Sequence, residues 1–183
     1  VGVYSSPWIS SYAGFPGGSS NEENGFYSED VRLNKRNYRF IGKHRFEEQD
    51  ARQWAKWGVD YLKYDWCSYG GVVNGMPEND PKKVSSLSFR GGNDLSTAVR
   101  PYQVMGDYLL KQPRDIVYSL CQYGMSDVWK WGNSVGGNSW RTTNDITDTW
   151  ASVRDIALAQ DKSAAYAMPG NWNDPDMLVI GTV

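Results

Sequence analysis

Strand-like and helix-like segments alternate along this chain, and that order restricts its fold more than any other feature. "VGVYSS" reads as a short strand. "EEQDARQWAKWG" reads as a helix with Ala51, Trp54 and Ala55 at face spacing and Gly58 as its stop. "VDYLKYD" is a second strand, and "NDLSTAVRPYQVMGDYLLKQ" a helix that Asn93 or Asp94 can cap, with Pro101 marking its first turn or kinking it. Then come the strand "DIVYSLC", a short helix "SDVWKWG", the strand "NSWRTT" and the helix "TDTWASVRDIALAQD", with Trp150, Val153, Ile156 and Ala157 on one side. A last strand region lies within "SAAYAMPGNWNDPDMLVIG". Such an order favours parallel strands joined by right-handed crossovers.

Two α/β architectures satisfy that order, an open doubly wound sheet and a (β/α) barrel. In both, the loops at the carboxyl ends of the strands carry function. "GFPGGSS" lacks the G-x-G-x-x-G pattern and a Lys, so it reads as a turn-forming loop rather than a phosphate cradle. A complete barrel takes roughly 250 residues, and this chain has 183. It therefore reads as an excerpt of a barrel from a longer polypeptide, with residues 1–183 one part of the catalytic domain.

The net charge of −2 and the lack of a strong basic cluster argue against a nucleic-acid surface. No segment approaches the apolar length of a membrane span. "VGVYSSPW" reads as a strand from its first residue rather than as a signal peptide. Two cysteines and one histidine cannot make a usual four-ligand zinc site, and no metal is expected. Cys67 and Cys121 each end a strand-like run and read as buried thiols. Nine Trp and twelve Tyr are unusual. Aromatic faces pack cores and also stack on sugars, and packing is the first expectation.

The polar residues at strand ends carry the chemistry. Lys63 and Asp65 lie two apart and point to the same side of a strand. Gln122 follows "IVYSLC", Arg141 and Asp145 follow "NSW", and Asn173, Asp174 and Asp176 cluster in "WNDPDM". Parallel strands would gather all of them at one mouth, with Trp66, Tyr69, Tyr123, Trp140 and Trp172 beside them. Carboxylates, a Lys, an Arg and aromatic faces suit a sugar pocket. Glycoside cleavage needs one carboxylate to attack or steady the anomeric carbon and one carboxylic acid to protonate the leaving oxygen. Lys63 would favour the ionised form of Asp65. Arg141 is expected to point at the substrate or the nucleophile rather than at Asp145. Each residue also has a plainer reading. Asp65 can cap a loop, Asp148 can cap the helix after it, Asp174 and Asp176 can serve an Asx-Pro turn, and Lys63 can snorkel. Trp54, Trp57 and Trp150 are expected in the core.

At these residues the sequence resembles glycoside hydrolase family 27, the α-galactosidase and α-N-acetylgalactosaminidase family. The likeness is carried in order by "GVYSSPWISSYAGFPGG", "WGVDYLKYDWC", "YSLCQYG", "NSWRTTNDITDTW" and "PGNWNDPDMLVIG". The resemblance implies a (β/α)8 barrel of which about strands three to seven are present, and a retaining double displacement with no cofactor. It implies Asp65 as nucleophile and Asp145 as acid/base, roughly 5–6 Å apart. It makes Lys63 and Arg141 contacts to the sugar and the nucleophile, sets Tyr4 beside the nucleophile, and puts Trp172 at the base of the pocket. It treats the aspartates of "WNDPDM" as structural. Gln122 stands where α-galactosidases usually carry a Glu that reads the sugar 2-hydroxyl. Tyr12 stands where eukaryotic members often have a Cys that bridges to the Cys after "KYD", so Cys67 has no such partner. That fits a bacterial enzyme, secreted or periplasmic, better than a lysosomal one. Residues 17–43 form a longer insertion. The implied substrate is a terminal α-D-galactoside. β-L-Arabinopyranosides, α-N-acetylgalactosaminides and a non-catalytic carbohydrate-binding barrel are the alternatives.

Overall fold

The computed structural model describes residues 1–11, 15–20, 22–23, 42–66 and 95–177, with side chains from residue 98 onward in the last of these stretches. Its strands are β1 (Gly2–Ser5), β2 (Ser19–Ser20), β3 (His44–Arg45), β4 (Tyr61–Asp65), β5 (Val117–Cys121), β6 (Ser139–Arg141) and β7 (Trp172–Asp174). Five of them form one all-parallel sheet in the order β1-β4-β5-β6-β7, while β2 and β3 make a separate antiparallel ribbon. The helices are α1 (Glu47–Trp57), α2 (Leu95–Leu109) and α3 (Trp150–Leu158). Strand order follows chain order and never reverses. A doubly wound sheet reverses at a switch point, whereas a barrel does not. The sheet with its helices is part of a (β/α) barrel.

The register divides the sheet into two faces. Leu62 and Tyr64 of β4, Tyr118 and Leu120 of β5, and Trp140 of β6 share the outer face and are fully or almost fully buried. They pack with Ala51 and Trp54 of α1, with Tyr102, Met105 and Leu109 of α2, and with Val128, Trp131 and Val135. Six of the nine tryptophans belong to this core. Trp66 stacks on Tyr102 at 5.8 Å and meets Trp8 edge-on at 5.3 Å. This geometry is favourable for ring quadrupoles beyond the area it buries. Trp66 and Trp140 therefore belong to the core and not to a sugar-binding mouth.

Local signals explain most element ends. Gly58 adopts φ 75° and its N–H caps the carbonyls of Ala55 and Trp54, closing α1 where the sequence indicates. α2 begins at Leu95 and runs on through Pro101, so the proline sits in mid-helix rather than in the first turn. Gly106 lets α2 approach the segment Gly132–Val135, because a Cβ there would lie 2.0 Å from the Val135 carbonyl oxygen. α3 is capped by Thr149, whose hydroxyl accepts from the Ser152 N–H at 3.2 Å, and not by Asp148. The expected helix "SDVWKWG" is a 3-10 segment, Met125–Lys130, interrupted by left-handed Ser126 and Asp127.

Two expected core tryptophans lie outside it. Trp57 ends α1 and is mostly exposed, and α3 buries none of its residues, so Trp150 is 75% exposed. The inner face of the sheet is also partly open: Tyr4, Tyr61, Val117 and Trp172 are all exposed. No helix among the described residues is long and apolar enough to cross a membrane. The expectations for Tyr12, Cys67, Tyr69 and the final "LVIG" lie outside the described residues, as does most of the 17–43 insertion.

Candidate active site

The inner face carries the polar residues. Lys63 and Asp65 point inward from β4, Cys121 follows from β5, and Arg141 from β6, all toward the carboxyl ends of their strands. A cleft of about 820 Å3 opens there, lined by Tyr4, Lys63, Asp65, Tyr123, Arg141, Asn144, Asp145 and Asp176, among others.

Asp65 is the deepest acid in this wall, only 3% exposed. The Tyr4 hydroxyl donates to its Oδ2 at 2.6 Å, and the Tyr123 hydroxyl donates to its Oδ1 at 3.1 Å. A buried carboxylate needs such donors to offset lost hydration. Lys63 Nζ lies 5.9 Å from the Tyr4 ring centroid, which places a cation on the same wall. The Cys121 thiol beside Asp65 is pushed up to about 12, chiefly by burial and then by the Asp65 charge, so it stays protonated at neutral pH.

Arg141 organises the opposite side. Its Nη1 pairs with Asp176 Oδ1 at 2.8 Å and its Nη2 with Asp145 Oδ1 at 3.1 Å. It therefore points at Asp145, contrary to the expectation from sequence. The cause is topological: β6 and β7 pair Arg141 with Asp174, so the loops that follow bring Asp145 and Asp176 to the same guanidinium. Arg141 and Asp176 are almost fully buried, whereas Asp145 is 75% exposed. Burial disfavours the guanidinium charge, but the neighbouring Cys121 and the carboxylates of Asp145 and Asp176 outweigh it and its pKa rises. The second oxygen of Asp176 accepts the Ile146 N–H at 2.7 Å, so this one carboxylate also fixes the loop that carries Asp145. Asp174 serves the turn, accepting the Asp176 N–H at 2.9 Å.

The fold thus brings Tyr4, Lys63, Asp65, Arg141 and Asp145 into one cleft and leaves two other candidates outside its wall. Gln122 lies one residue beyond the inward Cys121 and alternation turns it outward. It is fully buried, and neither amide atom has a hydrogen-bond partner among the described residues. Trp172 shares a face with Asp174 but sits two residues nearer the amino end of β7, about 7 Å lower, and is largely exposed. Gln122 is thus turned away from the cleft, while Trp172 stands on the inward face below the acids. Tyr123 and Asp176 are expected near the mouth from sequence, but neither is given a role in the site. The two-residue alternation from Ser119 through Cys121 indicates Tyr123, but nothing local singles out Asp176 from its turn.

Fold and cleft together define a (β/α)-barrel segment with paired acids at the carboxyl rim of its strands. The family model "Alpha galactosidase A" matches residues 80–183. The chain belongs to this family, glycoside hydrolase family 27. It is 42% identical over 135 residues to Alpha-galactosidase 2 of Arabidopsis thaliana, covering 74% of this chain and 28% of the relative. Among solved structures, a putative alpha-galactosidase/melibiase from Bacteroides fragilis superposes with TM-score 0.66 at 32% identity, covering 97% of this chain and 29% of that one. Alpha-galactosidase I from Mortierella vinacea superposes with TM-score 0.67 at 27% identity, covering 98% and 39%. The chain thus spans well under half the length of each of these proteins.

Proposed function

We propose that the polypeptide carrying this chain is a retaining exo-glycosidase that releases terminal α-D-galactosyl groups. The observation that supports this most is the asymmetry between two acids in one cleft. Asp65 is buried and held by two phenols, while Asp145 is exposed at the rim where a leaving group would depart. In the first step an Asp65 oxygen bonds to the anomeric carbon as the glycosidic C–O bond breaks, and Asp145 gives its proton to the departing oxygen. In the second, water attacks that carbon, loses a proton to Asp145, and the ester to Asp65 breaks.

Asp176 gives Arg141 a buried counter-charge beside Asp145, so the guanidinium stays paired through both steps. The same reading makes this chain one portion of a barrel in a longer polypeptide. The test is turnover of a panel of nitrophenyl glycosides by that polypeptide, with the anomer of the first-formed product read by NMR. Expected are hydrolysis of the α-galactoside with retained configuration, and its loss in Asp65→Asn. Inverted product, or preference for the β-L-arabinopyranoside or α-N-acetylgalactosaminide, would overturn the mechanism or the sugar respectively.

A further inference from the structure

Tyr123 stands in an unfavourable stretch of backbone. Its φ is 59°, a region that bulky side chains avoid, and Ser126 and Asp127 follow at 52° and 51°. The preceding Gln122 buries an amide with no partner at either end among the described residues. Both features cost free energy, and the surrounding structure must hold them in place. β6 does so. The Gly124 N–H donates to the Arg141 carbonyl at 2.9 Å, and a Cβ on Gly124 would lie 2.0 Å from the Thr142 carbonyl oxygen. The turn is therefore pressed against β6 and cannot relax without losing that contact.

The result is a specific placement. The Tyr123 ring lies 5.3 Å from the Arg141 guanidinium carbon, and its hydroxyl reaches Asp65 Oδ1. Tyr4 donates to the other oxygen from β1, and the weaker Cys121 thiol donor faces the same carboxylate from β5. One donor leaves a carboxylate free to turn about its Cβ–Cγ bond, whereas donors on both oxygens from separate elements fix its plane. Each oxygen retains a lone pair for attack.

We propose that Tyr123 is a positioning residue for the nucleophile: its hydroxyl, presented from the strained turn after β5, completes a two-phenol clamp that sets the Asp65 carboxylate plane for attack on the anomeric carbon. This rests on the hydrolase reading above. The ring alone does not suffice, since Tyr123→Phe keeps the Arg141 contact and loses the clamp.

The test uses the full-length polypeptide and α-D-galactosyl fluoride, whose leaving group departs with little need of a proton, so that the rate reports attack by Asp65 rather than acid catalysis. Tyr123→Phe is expected to lower kcat/KM by about tenfold, the scale of one hydrogen bond to a charged group. Its inhibition constant for galactose should change less than about threefold, and its melting temperature little. Tyr4→Phe combined with Tyr123→Phe should cost less than the product of the single losses, because the first removal already frees the carboxylate to rotate. Tyr123→Phe within about twofold of wild type, with Asp65→Ala inactive, would overturn the clamp and leave the hydrolase reading standing. Turnover that survives Asp65→Ala would overturn both.

Discussion

Asp176 shows how much a single side chain can control. It pairs with buried Arg141, fixes the Ile146 N–H, and itself sits at φ 88°, where Asp and Asn are the better-tolerated non-glycine residues. Asp176→Asn keeps the shape and backbone preference but removes the charge. We expect it to destabilise the protein by about 3 kcal/mol, since it leaves a buried cation short of a partner; urea unfolding measures this. Gln122 makes the opposite case. A fully buried amide with no partner gains nothing for stability, so Gln122→Leu should raise the melting temperature or leave it unchanged. Loss of galactose affinity in that variant would show that the amide reaches the sugar after all. Cys121, held protonated up to about 12, should resist iodoacetamide at pH 8, as peptide mass spectrometry can determine.

At the scale of elements, α1 carries a pH-sensitive first turn. Glu47 is buried against Arg45 of β3, and Asp50 lies one turn later on the same helix. Burial, and then the Glu47 charge, raise the Asp50 pKa from 3.8 to about 7. The folded state therefore holds this proton more tightly than the unfolded state. Its contribution to stability is complete below about 4, declines as pH rises, and is gone above about 7. The slope is at most ~1.4 kcal/mol per pH unit. Wild type should lose stability relative to Asp50→Asn between those limits; parallel melting curves would rule the idea out. α3 depends on its Thr149 cap, and Thr149→Ala should cost about 1 kcal/mol.

The whole molecule is asymmetric between its two sheet faces. The helix side is a dense aromatic core, while the inner side exposes Tyr61, Val117 and Trp172, and both β1 and β7 are edge strands among the described residues. A barrel fills that space with side chains from all its strands. Residues 1–183 expressed alone should aggregate or bind a hydrophobic dye strongly, because open parallel edges and an apolar face invite association. A monomer that melts cooperatively would contradict this.

The sequence by itself determined what depends on neighbours along the chain. Strand and helix alternation indicated a parallel α/β fold, two-residue periodicity aimed Lys63 and Asp65 to one side, and Gly58 ended α1. These are local signals, and a single segment is enough to express them. Only the tertiary structure decided which side chains from distant segments meet. Arg141 turned to Asp145 and Asp176 because the register of β6 and β7 brings their loops together. Trp66 and Trp140 went to the core because alternation, set by strand pairing, faces them toward the helices. Tyr123 reached Asp65 because a turn is wedged against β6. Such contacts depend on register and on which backbones approach each other, and neither quantity is encoded in any one stretch of residues.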